Sequence, residues 1–378
     1  MATWFSATAV IAQVSAAYGI APPNQGSITA AVQLGFVAGA IGSSAIALAD
    51  VVETRTLMRA GMLVAALANL AIPFGHSPAL LFFLRFATGA GLAVVYPPAV
   101  KLLSAWFARE RGLATGILIG ALTLGSFSPH LLSGAPISWQ SVLFGSSALA
   151  LIGIPIISLL PPPPVPLALS RFDLNAVPTI LKNRAVLLAD SAYWGHMWEL
   201  YAAWAWAPVF FQASLIASGS TMRAGALIFL AFGLIGAAGC VVAGMLADRL
   251  GRSVVAAGAM IASGTLSLTV GFTFGLAPWL VLTMLLLWGF TVIADSAQFS
   301  AAVTELAESA YVGTALTLQM GVGFLITLVT IWLIGAVHLI VGWRYAFGIL
   351  AIGPALGACA MLALRRRPEA VKMANGRR

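Results

Sequence analysis

Apolar runs of about 18 to 25 residues recur along the chain between short polar turns, each as long as an α-helix needs to cross a bilayer. In order they cover residues 1–20, 27–49, 57–74, 79–103, 112–132, 138–160, 186–211, 223–247, 253–274, 276–298, 312–334 and 343–364. This pattern predicts an all-α membrane protein with about twelve transmembrane helices. The first run is the weakest. It contains Gln13, two serines and several alanines, and at about 1.5 Å per residue it covers about 30 Å with nothing to spare. It reads as a span that is truncated or starts late.

The one long polar interval lies between the sixth and seventh runs: Pro161-Pro162-Pro163-Pro164, then Arg171, Asp173, Lys182 and Arg184. Consecutive prolines cannot continue a helix and favour extended polyproline geometry. The expected organisation is therefore a six-helix bundle over 1–160, a linker over 161–185, a second six-helix bundle over 186–364 and a basic tail over 365–378.

Composition sharpens the class. With 61% hydrophobic residues, 8% charged residues and a mean hydropathy of +0.99, the chain lies far outside soluble globular usage. The net charge of +8 resides in short interhelical loops and at the C-terminus, which fits a bilayer and not a nucleic acid. Only Arg223 and Arg344 fall on one side, and Arg85 lies within a span. The other Lys and Arg residues gather on the opposite side, which predicts both termini in the cytoplasm of a multi-pass inner-membrane protein. The N-terminus lacks the basic region of a cleavable signal. Cys240 and Cys359 sit inside apolar runs and read as packing residues. His76, His130, His196 and His338 are dispersed, no phosphate loop is present, and the expectation is no enzyme, no cofactor and no metal.

The most informative local pattern is Gly244-Met245-Leu246-Ala247-Asp248-Arg249-Leu250-Gly251-Arg252, a compact charged turn between two apolar runs. Its partial copy in the first half is Ile46-Ala47-Leu48-Ala49-Asp50, followed by Glu53 and Arg55. Glycines recur at matching spacing as well: Gly35 with Gly233, and Gly112 and Gly120 with Gly313 and Gly321. The turn resembles the signature loop of the major facilitator superfamily, and Arg85-Phe86-Ala87-Thr88-Gly89-Ala90-Gly91 resembles that family's Arg-x-x-x-Gly-x-Gly pattern on the fourth helix. The wording of the fourth and fifth helices is loosely similar to the branch of nitrate, nitrite and cyanate carriers. The nitrate type places arginines mid-membrane in helices two and eight, whereas this chain offers Gln33 and an outer Arg223 there, which argues against an inorganic anion. The resemblance implies a monomeric carrier with two bundles rocking about a central site, a small organic solute as substrate, and protons as coupling partner. The alternatives are a sensor of the same fold that does not translocate, and a uniporter or an anion carrier of the nitrate or cyanate kind.

Candidate residues follow. Asp248, with Gly244, Arg249, Gly251, Arg252 and Asp50, reads as a gating loop, because a carboxylate at a helix end can meet another helix's N-terminus or an arginine. Arg85 inside hydrocarbon costs at least about 2.5 to 3.5 kcal/mol and needs a polar partner. His196 and Glu199 share a face of the seventh helix, and a carboxyl near mid-bilayer can take up a proton. Glu199 is thus the first proton-coupling candidate, with Asp295 second and Arg85 beside them. Asp295 and Asp190 also read as groups near cytoplasmic water. Gln13, Gln33, Tyr96, Tyr193, His196, Tyr201, Trp288 and Gln319 are the candidates for binding substrate. Trp204 and Trp206 read as an interfacial belt. Tyr96 precedes Pro97-Pro98, which predicts a kink in the fourth helix. Gly112, Gly116 and Gly120 form a small-residue stripe for close helix packing.

Overall fold

The structure is a computed structural model that describes residues 1–107, 111–161 and 173–377. Arg109, Pro162, Pro163, Pro164, Arg171, Arg378 and the side chains of Asp50 and Arg111 lie outside the described residues.

The first expected span, α1, is interrupted, running as Ala2–Phe5, Thr8–Val10 and Ile11–Tyr18. Met1 stands beside Gly125, inside the bundle. Among the described residues eleven helices, all after this first segment, are long and apolar enough to cross a membrane. They are α2 (Pro22–Ala45), α3 (Thr54–Phe74), α4 (Pro78–Leu103), α5 (Gly112–Ser133), α6 (Trp139–Ser158), α7 (Arg184–Ala217), α8 (Ala224–Leu250), α9 (Arg252–Thr273), α10 (Pro278–Leu306), α11 (Val312–Val341) and α12 (Trp343–Arg365). The protein has an all-α membrane fold, and large apolar side chains such as Phe83, Ile152, Ile340 and Leu356 point outward where lipid would lie.

Helix ends follow local chemistry. Ser77 caps α4 by accepting the Leu80 N–H ahead of Pro78, and Ser138 and Asn183 cap α6 and α7 in the same way. Glu53 caps α3, where hydrogen bonds from Thr56 and the neighbouring Arg55 hold its carboxyl down to about 2. Gly251 turns the chain from α8 into α9 at φ +100°, a backbone conformation that L side chains rarely adopt.

Two later helices are split at corresponding places. In α4 the segments Pro78–Ala93 and Tyr96–Trp106 are separated at Val94 and Val95, because Pro97 and Pro98 have no N–H to return to the preceding turn. The proline pair therefore restarts the helix at Tyr96. In α10 the break lies between Pro278–Val292 and Ser296–Leu306, with Asp295 at its edge and no proline to cause it.

Lipid gives helices no hydrophobic reason to associate, so small residues that let backbones touch do much of the joining. Gly35 of α2 lies on the backbone of Phe86, and Gly89 of α4 lies on the carbonyl of Val32. The second half repeats this crossing between α8 and α10, with Gly239 on Phe290 and Gly289 on Ala231. Spacing matched only part of this repeat: Gly35 makes the crossing, but its spacing partner Gly233 lies against Phe127 and Phe229, and Gly321 meets nothing within 4 Å, whereas Gly112 is pressed against Asp248. Cys359 is exposed and does not pack in the interior; only Cys240 does.

A side chain at Gly89 would overlap the Val32 carbonyl oxygen, and neither backbone can yield. Gly89→Val is expected to destabilise the fold by about 1 to 3 kcal/mol or more. Gel filtration after stepwise heating should show earlier loss of the monodisperse peak; a wild-type profile would mean that α2 and α4 do not approach this closely.

Candidate functional site

At mid-depth, α1, α2, α4 and α5 face α7, α10 and α11 around a central cavity. Its walls are largely aromatic: Trp4, Phe36 and Tyr96 from the first half, and Tyr193, Tyr201, Trp204 and Phe324 from the second. The rings touch across the seam, with centroids 4.5 Å apart for Phe36 and Phe324 and 5.6 Å for Trp4 and Tyr201. The remaining space, ≈ 30 Å³, holds about two waters, so the rings themselves take up most of the cavity.

Three buried carboxyls stand behind the α7 and α10 walls. Glu199 Oε1 accepts the indole N–H of Trp288 at 2.8 Å, and its Oε2 accepts the Ser263 hydroxyl at 2.8 Å. Asp295 lies 2.8 Å from His196 Nδ1, within ion-pairing distance. Asp190 Oδ1 accepts from Gln319 Nε2 at 2.9 Å, and Gln319 Oε1 accepts from Ser300 at 3.1 Å. No basic residue pairs with Glu199 or Asp190 among the described residues, and each retains an ordered set of neutral donors. Asp190 Oδ2 and His196 Nε2 have no hydrogen-bond partner there. Such an arrangement suits carboxyls that gain and lose a proton, since a buried unpaired charge is costly.

The basic end of the bundle is shut by a second network. Asp248 Oδ2 accepts the Leu113 N–H at 3.2 Å, at the first turn of α5, so a carboxylate from the second half sits on the positive end of a first-half helix. Arg252 Nη1 lies 3.9 Å from Asp248 and donates to Gln298 Oε1 at 3.2 Å. Its Nε and Nη2 meet Glu305 at 2.8 and 2.7 Å, a two-pronged pair. The tail reaches the same place: Ala370 and Met373 are buried, Ala374 N–H donates to Glu305, and Arg377 donates to the Asp248 carbonyl. Arg249 is exposed at the surface. Along the seam, Gly112 and Gly116 of α5 lie against Asp248 and Cys240 of α8. The neighbouring seam is tied by Thr327 of α11, whose hydroxyl donates to Gln33 at 2.6 Å.

Several sequence expectations change. Gln13 is exposed on the outside of α1, not in the cavity, because the short Thr8–Val10 turn resets which face looks inward. Trp204 and Trp206 are buried, not interfacial: Trp204 lines the cavity and Trp206 donates to the Ile331 carbonyl at 2.8 Å. Asp190 and Asp295 are buried at 0% and 2% exposure, not near water. Arg85 does not pair with Glu199. Its guanidinium donates to the carbonyls of Thr3, Trp4 and Ile28, the first two being the groups that the break in α1 leaves without helical partners. His196 turns to Asp295 and not to Glu199. Trp288 and His196 stand behind the wall, whereas Tyr96, Tyr193 and Tyr201 line it.

Glu305, Ser263 and Trp4 were not singled out from sequence. Glu305 had a readable signal, an acid at the end of a span that could answer Arg252; Ser263 and Trp4 had none. Among the described residues no group of three His, Cys, Asp or Glu side chains is placed to hold a metal ion.

Residues 1–327 match the sequence profile described as the Major Facilitator Superfamily. The MFS-type transporter pytF of Aspergillus terreus is 27% identical over 43% of this chain and 55% of its own length. The cephamycin export protein CmcT of Amycolatopsis lactamdurans is 36% identical over 30% of this chain and 24% of its own. The 4-hydroxybenzoate transporter PcaK of Pseudomonas aeruginosa is 24% identical over 91% of this chain and 85% of its own. The chain thus spans about half the length of the first of these relatives and about a quarter of the second.

Proposed function

The chain belongs to the Major Facilitator Superfamily, and from that premise we propose that it is a secondary active transporter that moves a small organic solute by alternating access, coupled to protons. The observation that carries this reading is the closed aromatic cavity between the two halves, backed by Glu199, Asp295 and Asp190 on α7 and α10. The names of the relatives, an exporter of one organic compound and a transporter of another, support an organic cargo.

In this mechanism the rocking units are residues 1–160 and 186–364, joined by the linker at 161–185 and working as a monomer. Asp248, seated on the N-terminus of α5, latches the basic end; breaking that contact lets the cavity open there. Glu199 exchanges a proton as the site changes its exposure, with Asp295 and His196 as a second proton-holding pair. Arg85 supports the site by fixing the broken start of α1 that carries Trp4. Gln33 and Gln319 act through neighbouring helices and not on the solute, while the tyrosines face it. The decisive experiment is uptake of organic solutes into proteoliposomes with an imposed pH gradient. Solute binding without any gradient-driven uptake would favour the sensor of the same fold.

The charge distribution supports an orientation with the latch and both termini in the cytoplasm of an inner membrane. A fluorescent protein fused after Arg378 is expected to be bright there. Activity confined to a periplasmic enzyme reporter at the same position would reverse the topology.

A further inference from the structure

We infer that the central cavity is built for an aromatic ring bearing a carbonyl or carboxylate oxygen and no positive charge, with the indole N–H groups of Trp4 and Trp204 as its anchors. This deepens the transporter reading and rests on it for the claim that the bound solute is carried.

Buried indole N–H groups normally find an acceptor. Here Trp194, Trp198, Trp206 and Trp288 donate to Gln319 O, Ile349 O, Ile331 O and Glu199 Oε1, at 3.2, 3.1, 2.8 and 2.8 Å. Trp4 and Trp204 are equally buried, at 2% and 1% exposure, yet Nε1 of each has no partner among the described residues. Both line the cavity, one from each half. An indole can only donate, so whatever satisfies this pair must accept. Tyr193 and Tyr201 line the same space, and no hydrogen bond from their hydroxyls is formed among the described residues.

The ring faces define the rest of the class. The Tyr201 ring centroid lies 5.6 Å from those of both Trp4 and Trp204, and 5.2 Å from that of Phe324, all at tilted angles, so a flat guest can replace ring contacts that these side chains now make with one another. Among the described residues no charged side chain lines the cavity. Glu199 and Asp295 are turned to their own partners, Asp190 keeps one oxygen free but does not line the cavity, and the unsatisfied indole N–H groups are donors that would repel a cation. Cation–π capture is thereby disfavoured, although the ring faces alone would permit it.

The test is calorimetric titration of the purified protein with three probes of similar size: 4-hydroxybenzoate, cyclohexanecarboxylate, which keeps the acceptor without the ring, and benzylamine, which keeps the ring with a cation. 4-Hydroxybenzoate is expected to bind at least about tenfold more tightly than either of the others. Trp4→Phe and Trp204→Phe keep the ring and remove the N–H, and each should weaken 4-hydroxybenzoate about tenfold; Trp279→Phe, at an exposed position, should leave it unchanged. Equal binding of cyclohexanecarboxylate, stronger binding of benzylamine, no binding of 4-hydroxybenzoate, or full affinity in both phenylalanine variants would overturn the assignment. If a variant does not fold, the three probes on the wild type still decide. Binding of labelled 4-hydroxybenzoate without its uptake into liposomes would leave the site standing and remove the transporter reading instead.

Discussion

Glu199→Gln is expected to reduce pH-gradient-driven accumulation to the level of empty liposomes while leaving solute binding and exchange in place. The amide fits the existing site: its oxygen can keep the Trp288 N–H, and its NH₂ can donate to Ser263, whose hydroxyl is free to reverse its role. Shape and polarity are preserved, and the capacity to release a proton is lost. A carboxyl buried to 2% exposure, with no basic partner among the described residues, is costly when ionised, which suits the wild-type residue to the proton exchange proposed for it. Reconstituted protein assayed side by side for accumulation and for solute exchange separates the two functions. If the glutamine variant concentrates solute as the wild type does, coupling belongs to the Asp295 and His196 pair or to Asp190.

Asp248→Asn should insert and purify normally but transport at least about tenfold more slowly. Asparagine retains an oxygen for the Leu113 N–H but loses the charge at the α5 N-terminus, where such an interaction contributes about 0.3 to 1 kcal/mol, rising to about 2 when partly buried. It also leaves Arg252 with Glu305 as its remaining carboxylate. The basic end should then open more often, which is readable as faster labelling of a cysteine introduced in the seam. Wild-type uptake and wild-type labelling together would reduce this loop to a connecting turn.

The spans were legible in the sequence because their length and apolarity are imposed by the bilayer and not by neighbours. The restart of α4 was legible for the same kind of reason, since Pro97 and Pro98 remove hydrogen bonds wherever they stand. The break in α10 was not, because Val292, Ile293 and Ala294 carry no helix-breaking signal and Asp295 meets a histidine from a distant helix. The same holds for α1, whose interrupted carbonyls are met by Arg85 across the fold. Trp204 and Trp206 were misjudged because depth was measured to an assumed helix end near residue 211. The helix continues to Ala217, and these rings lie correspondingly deeper. Glu199 and Asp295 stood out as isolated acids in apolar runs, but their partners Ser263, Trp288 and His196 come from three helices, and no spacing within one segment encodes that meeting.

In the transport cycle proposed above, the aromatic rings that line the cavity would set the pace of the step made without cargo. The Phe36 and Phe324 rings meet at a tilt across the seam, 4.5 Å apart, and Trp4 and Tyr201 meet beside them, so the halves adhere through the same surfaces that a solute would occupy. A bound solute separates those faces and takes over their contacts; an empty protein must pull them apart with nothing in exchange. In the proposed transport cycle the return without cargo is therefore expected to be the slow half, and solute supplied on the far side of the membrane should accelerate the outflow of labelled solute beyond the rate of net movement.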